Sequence, residues 1–317
     1  MRGTNTELRA QTHHGVTWLD LEQPAAEVLA DLERTYGLHP VHVRECLQKV
    51  QHIQVEREEG YLFLVLHVPV LTAHRDKIHV SQIGVFLGAD FLLTIRAGAS
   101  PCFTDTFEVC NLSPEKAEEY FKPGSAYLLY RLINGLLMGI SDMVDDVNNE
   151  LDEIEDLVFD SKDSDSQRIG KLRQQIVRLG RVIGPKRLIL RDLTEQIDGF
   201  TGKSMAKYYG NNTKLANKLW EEIDEAKETV EVYKDADFTA STEQTNLTLA
   251  VLTLIFTFTI PVTVFASLYG MNVLLPGGIE TGSWAFLGRY TTFAIVLALS
   301  VSCALGMFIY FKRKKWF

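Results

Sequence analysis

The chain has 317 residues, 41 acidic and 32 basic, for a formal charge of -9, so it lacks the cationic excess that gripping nucleic acid requires. Its four cysteines, Cys46, Cys102, Cys110 and Cys303, show no C-x-x-C spacing, and the expected cytosolic setting disfavours disulfides, so they read as packing residues. Two apolar runs near the C-terminus take up about 70 residues, leaving room for one extramembranous domain with a helical extension rather than two full globular domains.

From the N-terminus, Met1–Gly15 carries two arginines but no apolar core of a signal peptide, so roughly the first 240 residues are expected not to be exported. Ala25–Tyr36 and His42–Lys49 have helical spacing, punctuated by Gly37 and Pro40. Tyr61–Val70, Val80–Leu87 and Phe91–Ile95 are rich in β-branched and aromatic residues and read as strands, the last two joined at Gly88-Ala89-Asp90. An α/β domain over residues 1–123 follows. All eight histidines, His13, His14, His39, His42, His52, His67, His74 and His79, fall within it. None has H-E-x-x-H spacing or a nearby Cys pair, so packing or surface roles are expected rather than a zinc site.

Residues 124–210 read as an antiparallel helical hairpin. Leu129, Ile133, Leu136, Ile140, Met143, Val147, Leu151, Ile154 and Val158 step by three and four, and Ile169, Leu172, Ile176, Leu179 and Ile183 do the same, with a polar turn over Asp160–Gln167. The first helix is crowded with carboxylates from Asp142 to Asp156. They form either a solvated face or, beside a cation pathway, a means of concentrating divalent ions. A third stripe, Leu215, Leu219, Ile223, Ala226, Val230 and Tyr233, belongs to a stalk over 211–246. Past Gly210 the one evident breaker before Tyr269 is Pro261, so stalk and first span (247–270) are expected to form one continuous helix; neighbouring helices can satisfy the carbonyl that such a proline frees.

From Gln244 to Ile279 there is no Asp, Glu, Lys or Arg, and Leu247–Tyr269 alone supplies the roughly 20 apolar residues that cross a bilayer as a helix. Residues 290–311 form a second uncharged run, separated from the first by a Gly- and aromatic-rich loop over 271–289. Lys312, Arg313, Lys314 and Lys315 open the tail (312–317), whereas the loop carries only Glu280 and Arg289. The positive-inside rule then puts both termini in the cytoplasm, at the plasma (inner) membrane. At about 100° per residue, Asn246, Leu249, Thr253, Thr257, Ile260, Thr263 and Ser267 share an arc of roughly 120°, while Thr248 and Thr259 lie opposite. Such a stripe serves either helix packing or the lining of a pore. Two spans cannot enclose a conduit, so a pore requires several copies around an axis.

The run TNLTLAVLTLIFTFTIPVTVFASLYGMN (Thr245–Asn272), with a short loop, a second span and the terminal KRKKWF, resembles the CorA family of magnesium channels. EREEGYLFLVLHVPV and QIGVFLGADFLLTI resemble the family's cytosolic strands, so the likeness covers nearly the whole chain. It implies an α+β multidomain membrane protein assembled as a homopentameric funnel in the lipid bilayer. Gly270, Met271 and Asn272 would form the selectivity filter, with Gly270 letting the loop turn and Asn272 ringing the outer mouth. Thr263 and Ser267 would contact the hydrated ion, Leu249, Leu252 and Ile260 would form an apolar constriction, and Asn246 would ring the inner end. Ser267 stands where the family often has Gly, and Leu249 and Ile260 where it often has Met. Glu280 would attract cations at the outer loop. The resemblance further implies Mg2+ as substrate and regulatory ligand, with Co2+ or Ni2+ as further substrates, and gating through acidic sites at which Asp235, Asp237 and Asp90 are the candidates. No enzyme motif is found, and no G-x-x-x-x-G-K-[ST] motif, so no nucleotide is expected. A zinc transporter of the same architecture and a membrane-anchored scaffold are the alternatives.

Overall fold

The computed structural model describes residues 8–48, 55–71, 78–160, 166–202, 204–271 and 290–314. Asn272 and Glu280 lie outside the described residues. Six strands, β1 (Leu8–His13), β2 (Val16–Glu22), β3 (Val55–Arg57), β4 (Tyr61–Leu71), β5 (Ile78–Gly88) and β6 (Phe91–Arg96), form one sheet in the order β1-β2-β6-β5-β4-β3. Only the β2–β6 pair is parallel. Eight helices are described: α1 (Ala26–Tyr36), α2 (Pro40–Leu47), α3 (Pro101–Leu112), α4 (Pro114–Phe121), α5 (Ser125–Asp160), α6 (Ser166–Thr201), α7 (Ala206–Tyr269) and α8 (Thr291–Arg313). They divide into two units, Met1–Asp237 and Phe238–Phe317.

In the first unit the sheet is covered on both faces. Leu62, Leu64, Leu66 and Val68 of β4 join a core built with α3–α7, while Tyr61, Phe63 and Val65 join a second core with α1 and α2. A strand with apolar neighbours on both sides has no reason to alternate polar with apolar residues, which is why Tyr61–Val70 reads as an almost unbroken apolar run. Between the layers Asp20 is fully buried; Arg96 grips it with two bonds of 3.0 and 2.9 Å, and Arg9 adds a third. This fork-on-carboxylate geometry ties β2 to β6.

Two helix starts differ from the sequence expectation. α2 begins at Pro40 rather than His42, because proline suits the first turn and His39 Nδ1 accepts the Val41 N–H at 3.3 Å. The expected C-terminal end of this helix at Lys49 lies outside the described residues. α7 begins at Ala206, ahead of the expected 211: the Asp198 carboxylate accepts the N–H groups of Met205 (2.6 Å) and Ala206 (2.8 Å), so the helix is capped early and runs through Gly210. Within α6, Lys186 is only 2% exposed and its Nζ has no hydrogen-bond partner among the described residues. Burial pushes its pKa down to about 7.

Gly84 of β5 sits under α2. A Cβ built there would lie 2.1 Å from Cys46 Sγ, so Gly84→Ala is expected to destabilise by about 1–3 kcal/mol through overpacking. The check is the thermal midpoint, with partial recovery in the Gly84→Ala, Cys46→Ala double variant.

Candidate functional site

The second unit contains the C-terminal part of α7 and all of α8, the two described helices long and apolar enough to cross a membrane. Phe258 of α7 meets Phe311 of α8 edge-on, with ring centroids 6.5 Å apart. On α8 the less exposed residues are Thr291, Thr292, Val296, Ser300, Ala304, Met307 and Phe311, a stripe in which the small Ser300 and Ala304 permit close approach. On α7 the half-buried residues from the apolar stretch are Ala250, Leu254, Thr257, Phe258, Pro261 and Phe265.

That α7 face is not the polar stripe. Asn246, Leu249, Thr253, Ile260, Thr263 and Ser267 are exposed, as is Leu252, and Thr257 lies at the margin. The two arcs are centred about 110° apart at 100° per residue. Pairing with α8 therefore leaves the hydroxyl-bearing face of the longer helix uncovered within one chain.

The hydroxyls on that face have a defined polarity. Thr253 Oγ1 donates to the Leu249 carbonyl at 2.7 Å, Thr257 to Thr253 at 2.6 Å, and Thr263 to Thr259 at 2.9 Å. Each proton is thus returned to the backbone, and what the oxygens offer outward is lone pairs. Pro261 has no N–H to give the Thr257 carbonyl, which adds another acceptor at the same level. Waters around a dication point their hydrogens outward, so a row of acceptors is the complementary surface.

At the end of α7, Gly270 still donates its N–H to the Ala266 carbonyl at 2.9 Å and is not among the residues with left-handed backbone. An added Cβ would lie 3.1 Å from that carbonyl oxygen. α7 ends at Tyr269, and the loop into which Gly270 was expected to turn the chain lies, from Asn272 on, outside the described residues. Met271 is exposed.

The three acidic candidates do not converge within one chain. Asp235 has a side chain 79% exposed, with its carboxylate 3.7 Å from Lys234 Nζ. Asp237, two residues on, is buried and accepts the Ser166 hydroxyl at 2.7 Å. Asp90 is exposed at the β5–β6 turn, where its backbone carbonyl accepts the Thr17 N–H. Nearby, Tyr233 donates to Glu155 at 2.9 Å, and burial together with that carboxylate raises its pKa to about 12. The one group among the described residues able to hold a metal within a chain is instead His42, Glu56 and Glu58. Sequence spacing missed it, because α2 and β3 are brought together only by the sheet.

A mixed sheet between helical layers, with two C-terminal helices apolar enough to cross a membrane and a polar stripe on the first, fits a membrane protein with a large extramembranous domain. The family model described as CorA-like Mg2+ transporter protein matches residues 13–313. The chain belongs to that family, and is thereby a divalent-cation transporter rather than an enzyme. It is 24% identical over 302 residues to the cobalt/magnesium transport protein CorA of Thermotoga maritima, covering 95% of this chain and 83% of that one. The complete structure of the CorA magnesium transporter from Methanocaldococcus jannaschii superposes with a TM-score of 0.75 at 21% identity, over 95% of this chain and 92% of that one. The ZntB cytoplasmic domain from Vibrio parahaemolyticus shares the fold of the soluble part, with a TM-score of 0.59 at 16% identity over 74% of this chain and 89% of that one.

Proposed function

We propose that this chain conducts hydrated Mg2+, with Co2+ and Ni2+ as further substrates, into the cytoplasm through a pore shared by five copies. The observation that carries this reading is the uncovered stripe of acceptor oxygens on α7. Facing lipid it would be wasted polar surface; facing an axis it accepts hydrogen bonds from a metal's water shell. Mg2+ releases its waters reluctantly, so a conduit that binds the shell is better suited to it than one that strips it. Asn272 closes the outer end of the stripe with amide oxygens, Asn246 the inner end, and Leu249, Leu252 and Ile260 form the apolar narrowing, able to close by dewetting. Glu280 draws cations to the outer mouth.

Between Asn246 and Asn272 the sequence has no carboxylate, so the drive comes from outside. A divalent ion moving through an inside-negative potential gains about 4.6 kcal/mol per 100 mV, twice the figure for a single charge. Both termini lie on the cytoplasmic side of the inner membrane in this reading. Cytosolic Mg2+ closes the pore from sites made between neighbouring copies, to which Asp235 and Asp90 bring exposed carboxylates. Asp237 is the weaker donor, being buried with one of its two carboxylate oxygens engaged by Ser166.

The test is flux into proteoliposomes under an imposed inside-negative potential, read with dyes for Mg2+ and Zn2+. Mg2+ flux that falls several-fold in Thr253→Val, Thr257→Val and Thr263→Val supports the reading. Zn2+ flux without Mg2+ flux replaces it with a zinc transporter, and no flux of either leaves a membrane-anchored scaffold.

A further inference from the structure

The metal-competent cluster found among the described residues lies in the N-terminal domain. His42 lies in α2, Glu56 in β3 and Glu58 in the turn that follows, and one donor atom from each falls within 4.8 Å of the others. His42 is buried, Glu56 half-buried and Glu58 exposed, so the cluster opens to solvent on one side.

The imidazole is held in place from three directions. Its ring stacks on Phe63 with centroids 4.3 Å apart and 15° between the planes. Nδ1 is 2.9 Å from the Tyr61 hydroxyl, and Nε2 is 2.8 Å from Glu56 Oε2. Tyr61 is fixed in turn, accepting the His39 N–H at 2.9 Å, and burial raises its pKa so that it stays a phenol. Glu58 is set by a tight turn in which its N–H donates to the Tyr61 carbonyl at 2.9 Å and Gly60 takes φ 105°.

We propose that His42, Glu56 and Glu58 form a binding site for one divalent cation of the zinc, cobalt(II) or nickel(II) type. An imidazole nitrogen with two carboxylates suits these ions, whereas Mg2+ favours oxygen ligands and keeps its waters. With metal–ligand bonds of about 2.0–2.1 Å, neighbouring donors stand roughly 3 Å apart, close to the Nε2–Oε2 spacing already present. Glu58, whose donor atom lies within 4.8 Å of the other two, needs only to draw in for all three to reach one ion. Coordination through the Nε2 lone pair selects the tautomer with its proton on Nδ1, which donates to the Tyr61 oxygen 2.9 Å away and so orients the metal-bound ring. Water completes the coordination on the open side. The site goes beyond the transport reading and stands whether or not α7 lines a pore.

The experiment is Co2+ titration of the full-length protein in detergent with Mg2+ in excess, so that oxygen-only sites are filled. One Co2+ per chain is expected, with visible absorption that departs from the aquated ion. Glu58→Gln, at an exposed position, should leave the metal-free thermal midpoint unchanged and weaken this binding more than tenfold. Tyr61→Phe, a positioning variant, should weaken it roughly 10–100-fold while the Co2+ stoichiometry remains one. Absence of binding in excess Mg2+, or equal affinity and an identical spectrum in wild type and Glu58→Gln, overturns the site.

Discussion

Replacing Asn272 by alanine is expected to lower Mg2+ flux by about two orders of magnitude or more while leaving assembly and thermal stability nearly unchanged. In the proposed pore each amide oxygen accepts one hydrogen bond from the ion's water shell. Such a bond is worth about 1 kcal/mol net, and a ring repeats the loss in every copy. Asn272→Asp provides the contrast: it retains an acceptor but adds a ring of charge, so it should bind the ion more tightly and release it more slowly, giving flux between wild type and alanine. Wild-type flux in the alanine variant would remove the outer ring from the mechanism.

The second large effect is expected from Lys186. A buried amine with no partner among the described residues is costly to charge, and burial pushes its pKa down to about 7 from the ordinary 10.5. Below about pH 7 both folded and unfolded chains are protonated and the folded state bears the whole cost. Between pH 7 and 10.5 the unfolded chain binds more protons, so stability rises with pH across that window and levels off above it. The shift corresponds to roughly 4–5 kcal/mol at 1.36 kcal/mol per pKa unit, an upper figure for a core that can relax. Lys186→Met should therefore raise the thermal midpoint at neutral pH, and the wild-type increase in midpoint between pH 7 and 9 should disappear. A lower midpoint in the variant would show that the amine is satisfied in the assembled protein.

How much of this was legible in the sequence depends on where the information is carried. β4, β5 and β6 are plain from their β-branched and aromatic runs, and α5 and α6 from apolar residues at helical steps, because each pattern is local. β1, β2 and β3 were missed. β1 is an edge strand paired only with β2, so little of its sequence is constrained to be apolar, and β3 has three residues. α3 and α4 were missed although Pro101 and Pro114 stand at their first positions; proline there initiates a helix, but the same residue elsewhere ends one. The polar stripe on α7 follows from angular arithmetic alone. That it avoids the face used by α8 does not, since only the pairing of two helices decides it. His42 and Glu56 are similarly silent in sequence: thirteen residues intervene between them, and a sheet edge closes the gap.

The roughly 110° between the two working faces of α7 also has a bearing on biogenesis. One face is satisfied as soon as a single chain has inserted, because Phe258 finds Phe311 within the same polypeptide. The other, in the proposed pore, must wait for further chains. In the proposed assembly a newly inserted protomer is therefore a hairpin that still displays Thr253 and Thr263 to lipid.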